Sequence, residues 1–344
     1  MESATASSME IQRVDPLAHA DALKALFASH ERAEFAGYFD RAYPDAVREG
    51  GCSWIGIDAQ DGDTGGGGGS IVMHVARFPQ RFRVGDRMAT GGLLVNLLSA
   101  RSQRSFFPAL SLVRRVVADS RADGNIDFLY GDPNDQARSL LRLAGFAPVG
   151  ELERFVLPLR DPRWYADAAV RAYHMAIGAR GRTQGVAVTR HGAAEFDCSS
   201  LEVPGSIGER IRPCRPASLY RRRLADYPSA ADEWIVVQSG NARVAAAVRA
   251  LGNGSVLLCA LERPGGTPLT AIVPALAREL RRAGHHQLWL WTMAQTRFAG
   301  ELRSAGFVPR HERLPVLGIG LTALGTQVLA ASATWETTHL DFDR

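Results

Sequence analysis

The sequence predicts an α+β fold made of two related domains in tandem, each a mixed central sheet flanked by helices. The first observation is an internal repeat. Leu-Arg-Leu-Ala-Gly-Phe-Ala-Pro at 141–148 is repeated with two substitutions as Leu-Arg-Ser-Ala-Gly-Phe-Val-Pro at 302–309. The second is its context. Each copy follows a helical pattern ending in glycine, an apolar strand and a second helix, with glycine-to-glycine intervals of 21 and 22 residues. Repeats about 160 residues apart are too long for a solenoid and indicate tandem domains.

Apolar periodicity assigns the elements of the first copy. The predicted strands are Glu10–Val14, Cys52–Ile57, Ile71–Phe78, Gly91–Leu98, Ile126–Tyr130 and Glu153–Leu159. Helical spacing covers Ala18–Ser29, Pro108–Arg121 and a segment leading to Gly145. The glycine-rich run 61–70 lies between two strand patterns and is predicted to be a flexible hairpin turn. Strands that alternate with helices indicate a layered α/β or α+β domain.

The second copy starts near Gly185 and contains a predicted helix, Ala271–Ala283, and a predicted strand, Gln287–Trp291. Between the copies, Pro162–Arg182 has helical spacing. We therefore predict an N-terminal domain at 1–160, a linking helix at 161–184 and a C-terminal domain at 185–344.

The composition bounds the class of protein. Of the 344 residues, 46% are hydrophobic and 22% charged, which excludes a mainly disordered chain. The four cysteines are scattered without a Cys-x-x-Cys pair, so no metal site is predicted and a reduced, cytoplasmic protein is favoured. The uncharged segment Leu314–Trp335 is long enough to span a membrane. Its proline, glycines and hydroxyl residues instead predict a buried strand and helix, without stable membrane insertion.

The segment Arg104–Ala109 lies between a predicted strand and a predicted helix. A loop that enters a helix presents free backbone N–H groups at the positive end of the helix dipole, which suits a pyrophosphate. Pro108 fits the first helical turn, and Arg104 could add a charged contact to phosphate. The alternative interpretation is an ordinary strand-to-helix turn with a solvated arginine.

A second polar segment, Tyr130-Gly-Asp-Pro-Asn-Asp-Gln-Ala137, opens the next helix. Asn134 or Asp132 could simply cap that helix, and capping is the favoured interpretation from spacing alone.

Taken together, Asn134-x-x-Ala137, Gly145-Phe146 and the loop at 104–109 resemble the GCN5-related N-acetyltransferase (GNAT) superfamily. The pyrophosphate loop of that family reads Gln/Arg-x-x-Gly-x-Gly/Ala, and this sequence has Arg104-Ser-Phe-Phe-Pro-Ala109 in its place. The resemblance covers most of the chain and rests on the order and spacing of short motifs.

The second half is similar to a domain of tandem proteins often associated with bacterial polysaccharide loci. Its Arg215-Pro-Ala-Ser-Leu-Tyr220-Arg-Arg-Arg223 and Pro228 resemble their Arg…Tyr-Leu-x-x-Arg…Pro segment. The ending Trp335…Asp341-Phe-Asp343 also fits them.

The resemblance implies that acetyl-CoA, or another acyl-CoA, is a co-substrate and that no metal takes part. The backbone of Leu98 and Ser99 would pair with the pantetheine arm, and Asn134 would help fix the thioester end. The loop would hold the pyrophosphate through Arg104, Ser105, Phe106, Phe107, Pro108 and Ala109. Proximity and oxyanion stabilisation would supply most of the catalysis.

Three features depart from the family pattern. Phe107 stands where the loop normally has its first glycine, and Leu141 where many members have a tyrosine general acid. The strand Gly91–Leu98 also lacks the glutamate often used as a base. Acidic candidates for a base are Glu31, Glu34 and Asp132, each of which also fits a solvated surface position.

The second domain offers a possible loop of its own, Arg263-Pro-Gly-Gly-Thr-Pro268, which also fits a common turn. The basic residues Arg210, Arg212, Arg215 and Arg221–Arg223 form a stretch with two interpretations, a contact for an anionic acceptor or a solvated face. No interleaved aromatic residues favour nucleic-acid binding. We predict that this domain is degenerate and mainly architectural.

The predicted function is transfer of an acetyl or other acyl group from acyl-CoA to an amine or hydroxyl of a small or sugar-like acceptor. The first alternative is a non-catalytic relative that binds or assembles. The second is an aminoacyl-tRNA-dependent transferase of related fold. Acceptor identity, acyl length and oligomeric state are not encoded in any pattern we find.

Overall fold

The computed structural model describes residues 9–30, 34–58, 69–100, 106–159, 186–193, 195–197, 211–215, 217–220, 224, 232–240, 242–263 and 267–342. Packing divides the chain into two compact units. Unit 1 comprises Met1–Arg81, Ala89–Val149 and Val316–Ala330, and unit 2 comprises Phe82–Met88, Gly150–Pro315 and Ala331–Arg344. Both units draw on separated stretches of sequence, whereas the predicted domains 1–160 and 185–344 are contiguous. The predicted linking helix, 161–184, lies outside the described residues.

The elements are named in chain order. The strands are β1 Met9–Val14, β2 Cys52–Asp58, β3 Ser70–Val84, β4 Arg87–Ser99, β5 Phe128–Gly131, β6 Ala147–Pro158, β7 Val186–Gly192, β8 Ile211–Pro213, β9 Asp232–Ser239, β10 Ala242–Ala250, β11 Ser255–Glu262, β12 Gln287–Met293 and β13 Val308–Gly320. The helices are α1 Ala20–Ala28, α2 Glu34–Arg48, α3 Phe106–Asp123, α4 Asp135–Leu143, α5 Ala217–Tyr220, α6 Leu269–Arg282, α7 Arg297–Ser304 and α8 Ala323–Ala330.

Unit 1 contains a mixed sheet in the order β1-β2-β3-β4-β5, followed by the last residues of β13. The β1–β2 and β2–β3 pairs are antiparallel, and the β4–β5 pair is parallel. On the far side of β5, Leu317–Gly320 of β13 completes the sheet in antiparallel register. Apolar side chains of the sheet and of helices α3 and α4 form a common core, which includes Trp54, Val75, Val113, Val116, Leu129, Leu141 and Phe146.

Helix α8 packs on the start of β5 through Asp127. The Asp127 carbonyl oxygen accepts from the Leu321 N–H (2.8 Å), and its carboxylate accepts from the Thr322 hydroxyl (2.7 Å). A Cβ added at Gly325 would lie 1.8 Å from the same carbonyl oxygen. The close approach therefore requires glycine at position 325.

Unit 2 contains a second mixed sheet in the order β6-β12-β11-β10-β9-β7. Of these five neighbouring strand pairs, the β11–β12 pair is parallel and the other four are antiparallel. Helices α6 and α7 cover the sheet with apolar side chains that include Leu276, Leu280, Phe298 and Leu302. Each unit is thus a mixed sheet flanked by helices, which confirms the predicted fold class.

The structure extends the sequence prediction in two places and agrees with it in a third. Strand β3 continues through Pro79 to Val84, and helix α2 was not predicted. The uncharged segment 314–335 forms the end of β13 and helix α8, as its composition predicts. Within the described part of the chain, no helix has the length and apolar character needed to cross a membrane.

Candidate functional site

Strands β4 and β5 of unit 1 share a short parallel contact, and β4 is much the longer of the two. Their register covers Gly91–Leu93 against Phe128–Tyr130. A Cβ added at Gly131 would lie 3.3 Å from the Leu94 carbonyl oxygen, so the strands still approach each other there. Strand β4 then continues to Ser99, beyond the end of β5, and residues 94–97 are only half-buried. The part of β4 beyond Leu94 therefore has no β5 residue beside it, and we take the space there as the candidate cleft, because α/β sheets commonly bind ligands at the carboxyl ends of parallel strands.

The start of helix α3 lies at the carboxyl end of β4. The helix begins at Phe106, so Phe106–Ala109 form its first turn rather than a loop. Amides of a first helical turn have no partner within the helix and suit an anion. Ala109 is buried, whereas the side chain of Phe107 is 76% exposed and its ring meets Phe106 edge-on. The benzyl group therefore extends into solvent. The predicted phosphate contacts Arg104 and Ser105 lie outside the described residues.

Asn134 lies between β5 and α4 and caps the helix. Its Oδ1 accepts a hydrogen bond from the Ala137 N–H at 2.9 Å, so the Asn134-x-x-Ala137 spacing is that of an N-cap. The capping interpretation is confirmed. Oδ1 thus accepts from the helix backbone. The Nδ2 amide is the group of Asn134 that is able to donate to a ligand.

We expect Asn134→Ala to reduce the free energy of unfolding by about 1 kcal/mol, because the α4 cap is lost. Asn134→Asp keeps an oxygen acceptor and should leave stability nearly unchanged. Urea denaturation of the three proteins measures both effects. If Asn134 also binds the thioester end of acyl-CoA, Asn134→Asp will lose affinity without losing stability. Equal affinity in wild type and Asn134→Asp would restrict Asn134 to capping.

The structure describes two of the three candidate bases. Asp132 is half-buried directly after β5, and Glu34 begins helix α2. Glu31 lies outside the described residues. Leu141 is 4% exposed and packs in the core of unit 1 with Val113 and Phe146, so no hydroxyl occupies the position of the family's general acid.

A buried polar chain connects strand β4 to helix α2, and no sequence pattern indicated it. Asn96 has φ +56° in the middle of β4, a left-handed conformation that asparagine tolerates better than most residues. Its side-chain amide donates to the Tyr43 hydroxyl at 3.0 Å. Its carbonyl oxygen lies 3.0 Å from His74 Nδ1, and His74 Nε2 lies 3.0 Å from the Ser53 hydroxyl. The chain fixes the local kink in β4 from within the core.

His74 is neutral in this setting. A carbonyl oxygen only accepts, so Nδ1 carries the proton and Nε2 accepts from Ser53. Burial lowers the pKa of His74 to about 4, while the hydrogen bond to Asn96 opposes that shift. Burial also raises the pKa of Tyr43, while the hydrogen bond from the Asn96 amide acts in the opposite direction. Both groups are fully enclosed, so they position β4 and do not exchange protons with a substrate.

Unit 2 buries two arginines of the predicted basic stretch. Arg215 donates to Asp341 Oδ1 (2.8 Å) and to Glu262 Oε1 (2.5 Å), and Arg212 also hydrogen-bonds Glu262. The Tyr220 hydroxyl donates to the same Glu262 oxygen at 2.5 Å. Burial favours a lower pKa for Arg215, but the carboxylates of Asp341 and Glu262 outweigh it and hold the pKa well above its ordinary value. Both interpretations, a solvated face and a contact for an anionic acceptor, are therefore wrong for Arg212 and Arg215.

Among the residues that the structure describes, no three histidine, cysteine, aspartate or glutamate side chains form a group able to hold a metal ion. The candidate site is therefore best described by its backbone: a parallel strand that runs past its neighbour, a helix start and a capped second helix.

Comparisons with known proteins identify the fold of the chain. No family model and no curated protein matches the chain. A conserved protein from Enterococcus faecalis V583, described as a probable N-acyltransferase, superposes with a TM-score of 0.64 over 92% of this chain and 74% of that one, at 11% identity. A GCN5-related N-acetyltransferase from Kribbella flavida gives 0.59 over 92% and 72%, at 15% identity.

A tandem GNAT protein from the clavulanic acid biosynthesis pathway gives a TM-score of 0.50 over 91% of this chain and 99% of that one, at 13% identity. At these identities the similarity establishes the fold. The chain has the tandem GNAT fold, and the resemblance inferred from its sequence is confirmed at that level.

Proposed function

We propose that the protein transfers an acyl group, most simply acetyl, from acyl-CoA to an amine or hydroxyl of a small or sugar-like acceptor. The observation that carries the proposal is the extension of β4 past the end of β5, ahead of the start of helix α3. Structural neighbours described as acyltransferases support acyl transfer in general. The sugar-like acceptor rests on the resemblance to proteins of polysaccharide loci alone.

The residues present suit an acyl-CoA. The half-buried stretch 94–97 and Leu98–Ser99 of β4 lie beyond the contact with β5, so they offer strand backbone to an extended pantetheine arm. The first turn of α3 offers amides to the pyrophosphate, and Arg104 adds a positive charge. The Phe107 ring does not fill the space next to these amides, since it is exposed to solvent.

The reaction needs little side-chain chemistry. The acceptor nitrogen or oxygen attacks the thioester carbon, the C–S bond breaks, and CoA leaves as a thiolate. A thiol has a pKa near 8.5, so its thiolate leaves without a protein acid, which is consistent with Leu141 in the core. The acceptor proton passes to Asp132, Glu31 or solvent. Orientation of the two substrates supplies most of the rate enhancement.

Calorimetric titration of acetyl-CoA and CoA tests the proposal, with Arg104→Ala as the diagnostic variant. We expect micromolar binding that the substitution weakens by about 1.5–3 kcal/mol, the range for a hydrogen bond to a charged group. Arg114→Ala is the matched control, because Arg114 is exposed on α3 and donates to the Leu143 carbonyl oxygen instead. Absence of binding at millimolar CoA would refute the acyl-CoA mechanism.

A second candidate function is binding without catalysis. The departure at Leu141 motivates it, because many relatives with the resembling motifs have a tyrosine general acid there, although the thiolate can leave without one. Release of free thiol from acetyl-CoA in the presence of a panel of amines and amino sugars distinguishes the two. Tight binding without any acceptor-dependent thiol release would favour the binding protein. The aminoacyl-tRNA alternative gains support only if CoA does not bind.

A further inference from the structure

Unit 2 contains its own pair of parallel strands, β11 and β12, which diverge. The β11–β12 register covers Ser255–Leu257 against Gln287–Trp289. Strand β11 then follows β10 up to Glu262, while β12 follows β6 up to Met293. The two strands therefore separate after three residue pairs, and the β4–β5 register of unit 1 is equally short.

The segment Trp335–Phe342, here called the closing segment, occupies this second cleft. Its last turn, His339–Phe342, contacts both β11 and β12. The Thr292 hydroxyl of β12 donates to the Thr337 carbonyl oxygen at 2.8 Å. The Glu336 N–H donates to the Ile211 carbonyl oxygen at 2.8 Å, which ties the start of the segment to β8.

Carboxylates of the closing segment pair with the arginines that surround the cleft. Asp341 binds Arg215, and both side chains are nearly inaccessible. Glu336 accepts from Arg263, the residue that directly follows β11, at 3.2 Å. Arg263 opens the Arg-Pro-Gly-Gly segment whose sequence fits a phosphate loop, and here its guanidinium is committed to protein carboxylates and to the Thr267 carbonyl oxygen.

Burial distinguishes the two clefts. Every residue of β11 is buried, including the part beyond the β12 contact, whereas the corresponding part of β4 is half-buried. Thr337, Thr338, Asp341 and Phe342 are each at most 2% exposed. The closing segment therefore covers the strand that the equivalent cleft of unit 1 leaves accessible.

We propose that the closing segment is a built-in occupant of the β11–β12 cleft, with its carboxylates in the place of an anionic ligand. The cleft of unit 2 is thereby closed to acyl-CoA, and the chain binds one acyl-CoA, in unit 1. The closure of the cleft stands independently, and the binding of a single acyl-CoA rests on the proposed function.

Hydrogen exchange tests the closure without any ligand. In the wild-type protein we expect peptides covering 258–262 and 335–342 to exchange as slowly as those of β10. In Asp341→Asn, both should exchange at least about tenfold faster, because local opening sets exchange rates, while α6 stays protected. Asp135→Asn, an exposed site on α4, is the matched control. Phe342→Ala serves as a second variant that keeps the charges.

Exchange of 335–342 within seconds in the wild type, with β10 protected, would overturn the proposal. Unchanged exchange of 258–262 in a variant whose segment 335–342 has opened would overturn it too. Titration with acetyl-CoA adds the second readout: one site per chain supports the proposal and two sites contradict it. If acetyl-CoA does not bind at all, the proposed function is refuted. The exchange data alone then decide whether the cleft of unit 2 is closed.

Discussion

Replacing Arg215 with methionine is expected to reduce the free energy of unfolding by about 3–5 kcal/mol, the range for removing one partner of a buried ion pair. The side chain of Arg215 is 2% exposed, and its partners Asp341 and Glu262 are 1% and 7% exposed. Methionine fills a similar volume but removes a counter-charge from both buried carboxylates, of which Glu262 keeps Arg212. Urea denaturation at neutral pH measures the loss.

Arg190→Met is the matched control in the same unit. Arg190 forms a two-pronged pair with Glu233, but its side chain is 39% exposed, and exposed pairs contribute roughly 0–1 kcal/mol. Adding Asp341→Asn to Arg215→Met should restore part of the stability, because the amide needs no counter-charge. Similar losses for Arg215→Met and Arg190→Met would show that the network in unit 2 is no stronger than a surface pair.

Stability is expected to fall by about 3 kcal/mol between pH 6.5 and pH 4 through His74 alone, at 1.36 kcal/mol per unit of pKa shift. The folded-state pKa of His74 is about 4, below its ordinary value of 6.5. Between these values the unfolded chain binds the proton and the folded chain does not. The contribution is complete above pH 6.5 and is lost as the pH falls towards 4.

His74→Gln removes the titration, so the slope of stability against pH in this window should decrease even if the absolute stability drops. His311→Gln is the control, since His311 is exposed on β13. Chemical denaturation at half-unit pH steps gives the slopes. An unchanged slope in His74→Gln would mean that the imidazole accepts a proton in the folded state at its ordinary pKa.

Elements with clear periodicity were predictable from the sequence. Helix α3 and strand β5 follow apolar spacing, and the repeated Gly-Phe motif revealed the tandem organisation. Helix α2 was not predicted, because Gly37 and Pro44 interrupt its pattern. Proline within a helix normally marks a boundary, and here tertiary packing overrides that preference.

The site was less predictable, because its contacts join residues far apart in the chain. Asn96 meets a tyrosine 53 positions away, and Arg215 meets an aspartate 126 positions away. Sequence motifs named Arg215 and Asp341 but gave no reason to pair them. The cap at Asn134 was predictable from its spacing to Ala137, whereas its contact with a ligand stays a prediction, because a helix start produces the same spacing for either.

Strand β13 has a consequence for how unit 1 reaches its native state. Strand β5 pairs with Leu317–Gly320, and Gly325 packs against Asp127, so unit 1 is complete only when these late residues are available. A nascent chain ending at residue 160 holds β5 with an open edge, whose unpaired backbone groups invite association with other chains. Such distant pairing also slows folding, because a long loop must close before the contact forms. The sheet of unit 1 can therefore be completed only after residues 316–330 have been synthesised.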